Sequence, residues 1–300
     1  MTVHRGAVDK AMRAGAWDAF ADEYDQLEAM YTEPFNVTTT DKAWEESLVF
    51  TGLATMPAKP ELESVAMDRP MQVGSVKMVI LSYGLGYEVS HEAQQDDQYN
   101  IIAGPSSRFL AASQRDAEER IAWGVFNNAF TTQEAYDGVA LIHAEHPLQG
   151  GGTLGNRPAS DQALSFTALQ ASVERFRKLT TERGLKIKMR GRHLWVPVEL
   201  DWLANEILNS SQKPFTAENT TNVMAGGKVG LTAHSVEYLT SSTAWIVTSE
   251  KSKHKAYFFW REKPNMDDDY NKRSRATAFL NFSRFGVVTF DWRGFDGSTG

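Results

Sequence analysis

Between residues 7 and 31 the apolar positions Trp17, Phe20, Tyr24, Leu27 and Tyr31 recur every three or four residues, the spacing of one face of an α-helix. The opposite side of that helix is acidic. From Glu33 to Pro60 the periodicity loosens and Pro34, Pro57 and Pro60 interrupt it, which predicts an extended arm with a short helix near residues 40–50. Residues 62–67 and 73–81 have strand character, the second run rich in Val, Met and Ile, and Asp68-Arg69-Pro70 between them signals a turn. A protruding hairpin is expected. Such a hairpin is marginal in water unless it lies on another surface. Neither it nor the arm carries an apolar set large enough for a core of its own, so a neighbouring copy of the chain is expected to complete both.

Farther along, a helical pattern from Ser90 to about Ile102 is broken at Gly104-Pro105, after which Ser106 or Ser107 is placed to cap a second helix ending near Ala129. Leu110, Ala117, Ile121 and Val125 share one face of it, and Arg115, Asp116, Glu118, Glu119 and Arg120 read as its solvated side. At about 1.5 Å per residue the helix spans roughly 35 Å and would act as a spine. A loop-rich stretch follows over residues 131–161. Helices are then predicted over 165–182 and 199–208, with strands near 185–189, 194–198, 228–231, 244–248, 257–260 and 287–291. This irregular alternation predicts an α+β fold rather than a doubly wound sheet.

The 300 residues, 42% hydrophobic and 23% charged, are enough for one large core or two smaller ones. No run of about 18 apolar residues occurs, and charges interrupt the first twenty positions where a secretory leader needs an apolar core. The expectation is a chain made in the cytoplasm with no membrane partner. Cysteine is absent, which removes disulfides, thiolate metal sites and a cysteine nucleophile.

The net charge of −7 argues against a protein whose task is to grip nucleic acid. That charge is uneven. Residues 1–50 hold four Lys or Arg against ten Asp or Glu, whereas residues 175–193 hold eight Lys or Arg and one Glu. The two segments are electrostatically complementary. In the basic run Lys186, Lys188 and Arg190 are candidates for salt bridges between subunits, ahead of a plain solvated surface or contact with nucleic acid; Phe176 is the run's one aromatic, too few for a base-stacking platform.

Candidate chemistry is thin. His143, Glu145 and His146 suggest a metal cluster, but histidines three apart converge only on a helix or a suitable turn, and Pro147 with Gly150, Gly151 and Gly152 makes this a loop. Structural histidines are the preferred reading, with a metal-dependent hydrolase as a remote alternative. The glycines of Tyr83-Gly84-Leu85-Gly86-Tyr87 do not form a dinucleotide fingerprint, and no lysine follows the later glycine run as a phosphate loop requires. Asp96 with Asp97, and Asp267 to Asp269, lack EF-hand spacing and read as solvated helix and exposed loop. No catalytic, cofactor or metal residue is assigned.

Several short segments in a fixed order carry a resemblance. They are Tyr83 to Ser90 followed by Asp96-Asp97, then Asn127-Asn128-Ala129-Phe130, Asp137-Gly138 with Leu141, and His146-Pro147. Leu164-Ser165, Leu194 to Pro197, Asn219 to Val223, Phe285-Gly286 and Asp291-Trp292-Arg293 complete the set. In this order the chain resembles the major head subunits of tailed bacteriophages, in the Mu-like branch of the Hong Kong 97-type capsid superfamily.

The resemblance implies an N-terminal arm over residues 1–53, an extended loop hairpin over 54–89, a peripheral domain with a spine helix over 90–140, an axial domain over 141–257, and a return to the peripheral domain over 258–300. It implies a non-enzymatic protein of the virion that forms hexamers and pentamers in the host bacterial cytoplasm. Portal, scaffold and maturation protease would be separate chains, a decoration protein is possible, and packaged DNA would lie near without sequence-specific binding. An encapsulin-type nanocompartment shell is the alternative within the same superfamily. The expected contact residues are Trp17, Phe20 and Tyr24 on the arm, and Val76, Met78 and Ile80 on the hairpin, facing a neighbour or alternating with residues that do.

Overall fold

A computed structural model describes residues 5–96, 103–212, 221–225 and 229–300. Two four-stranded sheets organise the chain. The first has the order β1 (Asn36–Thr39), β10 (Ala256–Asn271), β11 (Ala276–Thr289), β4 (Leu81–Ser90). Its strands run antiparallel except for β1, which lies parallel to β10. The second sheet has the order β12 (Phe295–Ser298), β9 (Trp245–Ser249), β7 (Gly191–Pro197), β8 (Thr232–Val236). The α+β expectation is met.

Strand β7 shows why the second sheet forms a core. Its residues Leu194, Trp195 and Val196 are all buried, the continuous apolar run of a strand covered on both faces. Helix α4 (Phe166–Lys178) packs there, capped by the Ser165 hydroxyl, which accepts from the Ala168 N–H. Helix α5 (Asp201–Asn209) contributes Ala204, Ile207 and Leu208 to the same core.

The spine helix, α3, spans Ala103–Asn127. It starts before the expected serine caps because Pro105 falls in the first turn, where a missing N–H costs little. Trp123 and Phe126 anchor its C-terminal half in the main core, Trp123 with its ring centroid 5.3 Å from that of Trp195. Helix α2 is limited to His91–Asp96, and the expectations at Asp97 and at residues 97–102 lie outside the described residues, as does Asn219.

Three corrections concern the first third. The segment read as a short helix is strand β2 (Trp44–Phe50). Strand β3 (Gln72–Val79) is the expected second arm of the hairpin, but its partner is β2 and not residues 62–67, which lie in the loop 51–71 between them. The reading failed because Trp44 to Phe50 shows no apolar alternation; its place in a ladder comes from β3, more than 20 residues away. Finally, the arm does have partners in its own chain. Helix α1 (Arg5–Gln26) packs along α3, and Tyr31 and Phe35 are buried in the main core.

Other strand readings shift. Residues 185–189 form a single bridge, Thr180 with Lys186, rather than a strand. Asp267 to Asp269, expected in a loop, lie in β10 opposite Leu280, Phe279 and Ala278 of β11. The paired backbone satisfies itself, so side chains that disfavour strands are carried along.

Candidate subunit-contact surfaces

The β2–β3 hairpin presents one face to its own chain and one to solvent. Met78 and Ile80 are buried against Val288 and Phe290, and Val76 packs at the edge of that cluster. The alternate positions Val79 and Leu81 are more than half exposed. This is the period-2 alternation of an extended chain, and it places the open apolar positions next to Met78 and Ile80, on the opposite face of the strand.

Beyond the strands, loop 51–71 is nearly bare of contacts with the body. Met56 is 91% exposed, Leu62 99%, Val65 67% and Met67 92%. A tether holds its base: Arg183 donates to Asp68 at 2.6 Å and to the Arg69 carbonyl at 3.0 Å, and the Ala54 N–H donates to Asp68 at 2.8 Å. The Ala54 N–H, with help from Arg183, holds the Asp68 carboxyl below its usual range. At the loop end of the hairpin Gly74 touches the Tyr136 carbonyl so closely that a Cβ there would collide with it.

On the arm the three predicted contact residues separate. Phe20 is buried in a cluster with Val89, Leu110, Ala111, Met266 and Phe279 of the same chain. Tyr24 donates its hydroxyl to Glu118 at 2.7 Å and lies under the Arg115 guanidinium. Trp17 alone stays substantially open, at 43% exposure.

Sequence reading missed the polar seam beneath this arm. Glu118 and Glu119, expected on a solvated face, are buried. Glu118 accepts from Tyr24, from Gln114 at 2.9 Å and from Arg115 at 2.7 Å. Glu119 accepts from the Tyr31 N–H at 3.1 Å and the Trp123 indole at 2.9 Å. Burial raises both carboxyls above their usual range. The arm that covers them, through Tyr24 and Tyr31, lies 94 and 88 positions upstream, so local periodicity carried no trace of it.

The basic run is sorted by the fold. Arg175 is bidentate to Asp296, Lys178 pairs with Glu174, Arg183 with Asp68 and Arg192 with Glu250. Lys186, Lys188 and Arg190 are exposed, alternating with the half-buried Ile187 and the buried Met189, and no ion pair engages them among the described residues.

His143, Glu145 and His146 do not converge on a common point. His146 is fully buried, its Nδ1 2.6 Å from Asp137 and its Nε2 3.2 Å from Asn156, and it stacks on Trp292 with centroids 4.1 Å apart. His143 turns back onto the backbone of Glu145. Through its stack on Trp292, His146 ties the loop 131–161 to the link between β11 and β12. Among the described residues no group of His, Asp and Glu has metal-ligand geometry, and no described helix is long and apolar enough to cross a membrane.

An exposed apolar loop on a tether, beside a two-sheet body, is a geometry for contact between macromolecules. Comparison with solved structures agrees on the fold. The procapsid of bacteriophage JBD30 matches 99% of this chain and 76% of its own at 12% identity and TM-score 0.52. The capsid of Myoviridae phage XM1 matches with 91% of each chain covered, 10% identity and TM-score 0.57. The virus-like particle from Pyrococcus furiosus matches 95% of this chain and 98% of its own at 9% identity and TM-score 0.52. No curated protein sequence matches. The sequence model of phage capsid proteins matches residues 74–295, from the second strand of the hairpin to the start of β12, and the chain therefore belongs to the phage capsid protein family.

Proposed function

We propose that this chain is the major head subunit of a tailed bacteriophage, related to the Mu-like branch, and that copies of it close into hexamers, pentamers and an icosahedral shell around double-stranded DNA. The observation that carries the reading is the loop 51–71, in which Met56, Leu62, Val65 and Met67 are each at least two-thirds exposed. Contiguous exposed apolar surface of this kind marks an interaction site. Its occupant in this reading is the body of the next copy, and Val79, Leu81 and Trp17 join the contact while Phe20, Met78 and Ile80 support it from within.

The sheet β1-β10-β11-β4 with α3 is assigned as the peripheral domain and the sheet β12-β9-β7-β8 with α4 and α5 as the axial domain. Portal, scaffold and protease act as separate chains, and assembly takes place in the host bacterial cytoplasm. Nanocompartment shells have the same body, so the contents decide between the two: DNA in one, protein cargo in the other.

The test is electron microscopy of the protein expressed alone and together with its neighbouring genes. Closed particles with icosahedral outline, filled with DNA in an infected host, are the expected result. A protein that stays monomeric in both settings overturns the reading, and particles filled with an enzyme shift it to the nanocompartment.

A further inference from the structure

The fold leaves two charged ladders without partners, on different parts of the subunit. On α1 the carboxylates Asp18, Asp22 and Asp25 are all exposed and follow at intervals of four and three, so they form a stripe along the helix side that faces away from α3. No ion pair or hydrogen bond engages them among the described residues. The cations Lys186, Lys188 and Arg190 form the other ladder.

The two ladders are comparable in length. Helical positions 18 to 25 rise about 11 Å at roughly 1.5 Å per residue. Positions 186 to 190, drawn in by the turn in which the Met189 N–H donates to the Ile187 carbonyl at 3.0 Å, span less than the roughly 13 Å of a fully extended chain. Each of the three cations can therefore meet one of the three carboxylates of the facing stripe within the reach of its side chain. They do not meet within one subunit. Helix α1 packs beside Leu110 and Ala111 in the first half of α3, whereas the basic run lies by the loop after α3, with Thr180 accepting from Arg293 and Arg183 reaching Asp68. Complementary surfaces on different parts of one chain are the pattern of a heterologous, head-to-tail contact that closes into a ring.

From this we infer that Lys186, Lys188 and Arg190 of one subunit dock on the acidic stripe Asp18, Asp22 and Asp25 of a second copy, fixing the register of neighbouring subunits. The inference rests on the shell reading above. The occupant is a second copy rather than DNA because the stripe supplies the matching charge, three exposed carboxylates for three exposed cations. Ion pairs at a solvated rim set orientation and encounter rate more than bulk affinity, so the contact works together with the apolar loop.

The test uses full-length protein under conditions in which the parent forms shells. Charge reversal of one ladder, Lys186→Glu with Lys188→Glu and Arg190→Glu, or of the other, Asp18→Lys with Asp22→Lys and Asp25→Lys, is expected to raise the protein concentration needed for shells about tenfold, the sum of three modest pairs. Combining both sets is expected to restore assembly to near the parent's threshold. Circular dichroism and melting confirm that each variant is folded, and the neutral set Asp18→Asn with Asp22→Asn and Asp25→Asn serves if a reversed one is not. Single-ladder variants that assemble like the parent, or a combined variant no better than either, overturn the inference. So does a basic-ladder variant that assembles normally but encloses less DNA. A parent that never forms shells refutes the shell reading instead, before either ladder is tested.

Discussion

Arg293 shows how much of this subunit's stability sits in single buried contacts. Its guanidinium donates to Glu182 at 2.6 Å, to the Tyr136 hydroxyl, and through Nε to the Thr180 carbonyl at 3.1 Å, while Asp291 lies 3.4 Å away. Burial opposes the charge on Glu182, yet hydrogen bonds from Arg293, Tyr136 and the Gln149 N–H outweigh it and hold the carboxyl below its usual range. Removing one member of a buried pair leaves the other charge dry and costs about 3–5 kcal/mol. Arg293→Met is expected to lower the unfolding free energy of the unassembled subunit by that amount in urea titration. Arg120→Ala, which breaks the exposed pair with Asp116 at 2.7 Å, should change it by less than about 1 kcal/mol. Similar effects from the two would show that the Arg293 network is not shielded from water.

His254 gives the residue scale a pH signature. Burial, with repulsion from His193 and Lys251, pushes its imidazole down to about 4. An unfolded histidine titrates near 6.5, so between these values the unfolded chain takes up a proton that the folded one refuses. The stability contributed by neutral His254 is complete above pH ~6.5 and is lost as the pH falls toward about 4, by roughly 2–3 kcal/mol. His254→Asn should flatten the fall in melting temperature between pH 7 and 4.5. An unchanged slope would assign that acid sensitivity to other groups.

At the scale of elements, two glycines with opposite surroundings measure what holds the hairpin in place. Gly74 in β3 lies against the Tyr136 carbonyl, whereas a Cβ on Gly124 in α3 would meet nothing within 4 Å. Gly74→Ala must move β3 off the body and is expected to cost about 1–3 kcal/mol, as overpacking does. Gly124→Ala should gain up to about 1 kcal/mol of helix propensity. Thermal melting of the two variants should shift in opposite directions; equal shifts would mean that the loop end of the hairpin is pliable.

The same scale explains what could be read in advance. α3 and α4 were visible as helices, and β7 because Leu194, Trp195 and Val196 form an uninterrupted apolar run, but the buried face of α3 was not, since Ala117 and Ile121 are only half-buried while Trp123 and Phe126 turn inward beside Glu118 and Glu119. β2 was not visible, nor was the length of β10, because each is fixed by pairing with residues distant in sequence. The buried seam at Glu118 and Glu119 was hidden for that reason too: charged residues on a helix read as solvated until the arm that covers them is in place. At the contact surfaces, the basic run could be located but not sorted, since only the fold shows that Arg175, Lys178, Arg183 and Arg192 are already taken.

For the whole molecule, the question is which parts belong to the subunit and which to the lattice. The first fifty residues are divided between the two: Tyr31, Phe35 and Val49 are buried in the main core, so a deletion through residue 50 would cripple the fold itself and test nothing about assembly. The loop 51–71 offers a cleaner cut. Met56, Leu62, Val65 and Met67 are at least two-thirds exposed and support little within their own chain. Replacing all four with serine should leave the melting temperature of the lone subunit within about 2 °C of the parent, because surface substitutions seldom exceed about 0.5 kcal/mol. The same change should abolish shells, because assembly stabilises the lattice only through contacts that the folded subunit has yet to make. Sedimentation separates the outcomes: variant protein confined to slow species at concentrations where the parent yields fast-sedimenting particles supports the division. Particles in normal yield would mean that the loop's apolar side chains face solvent in the shell as well, and that the subunits are held by another surface.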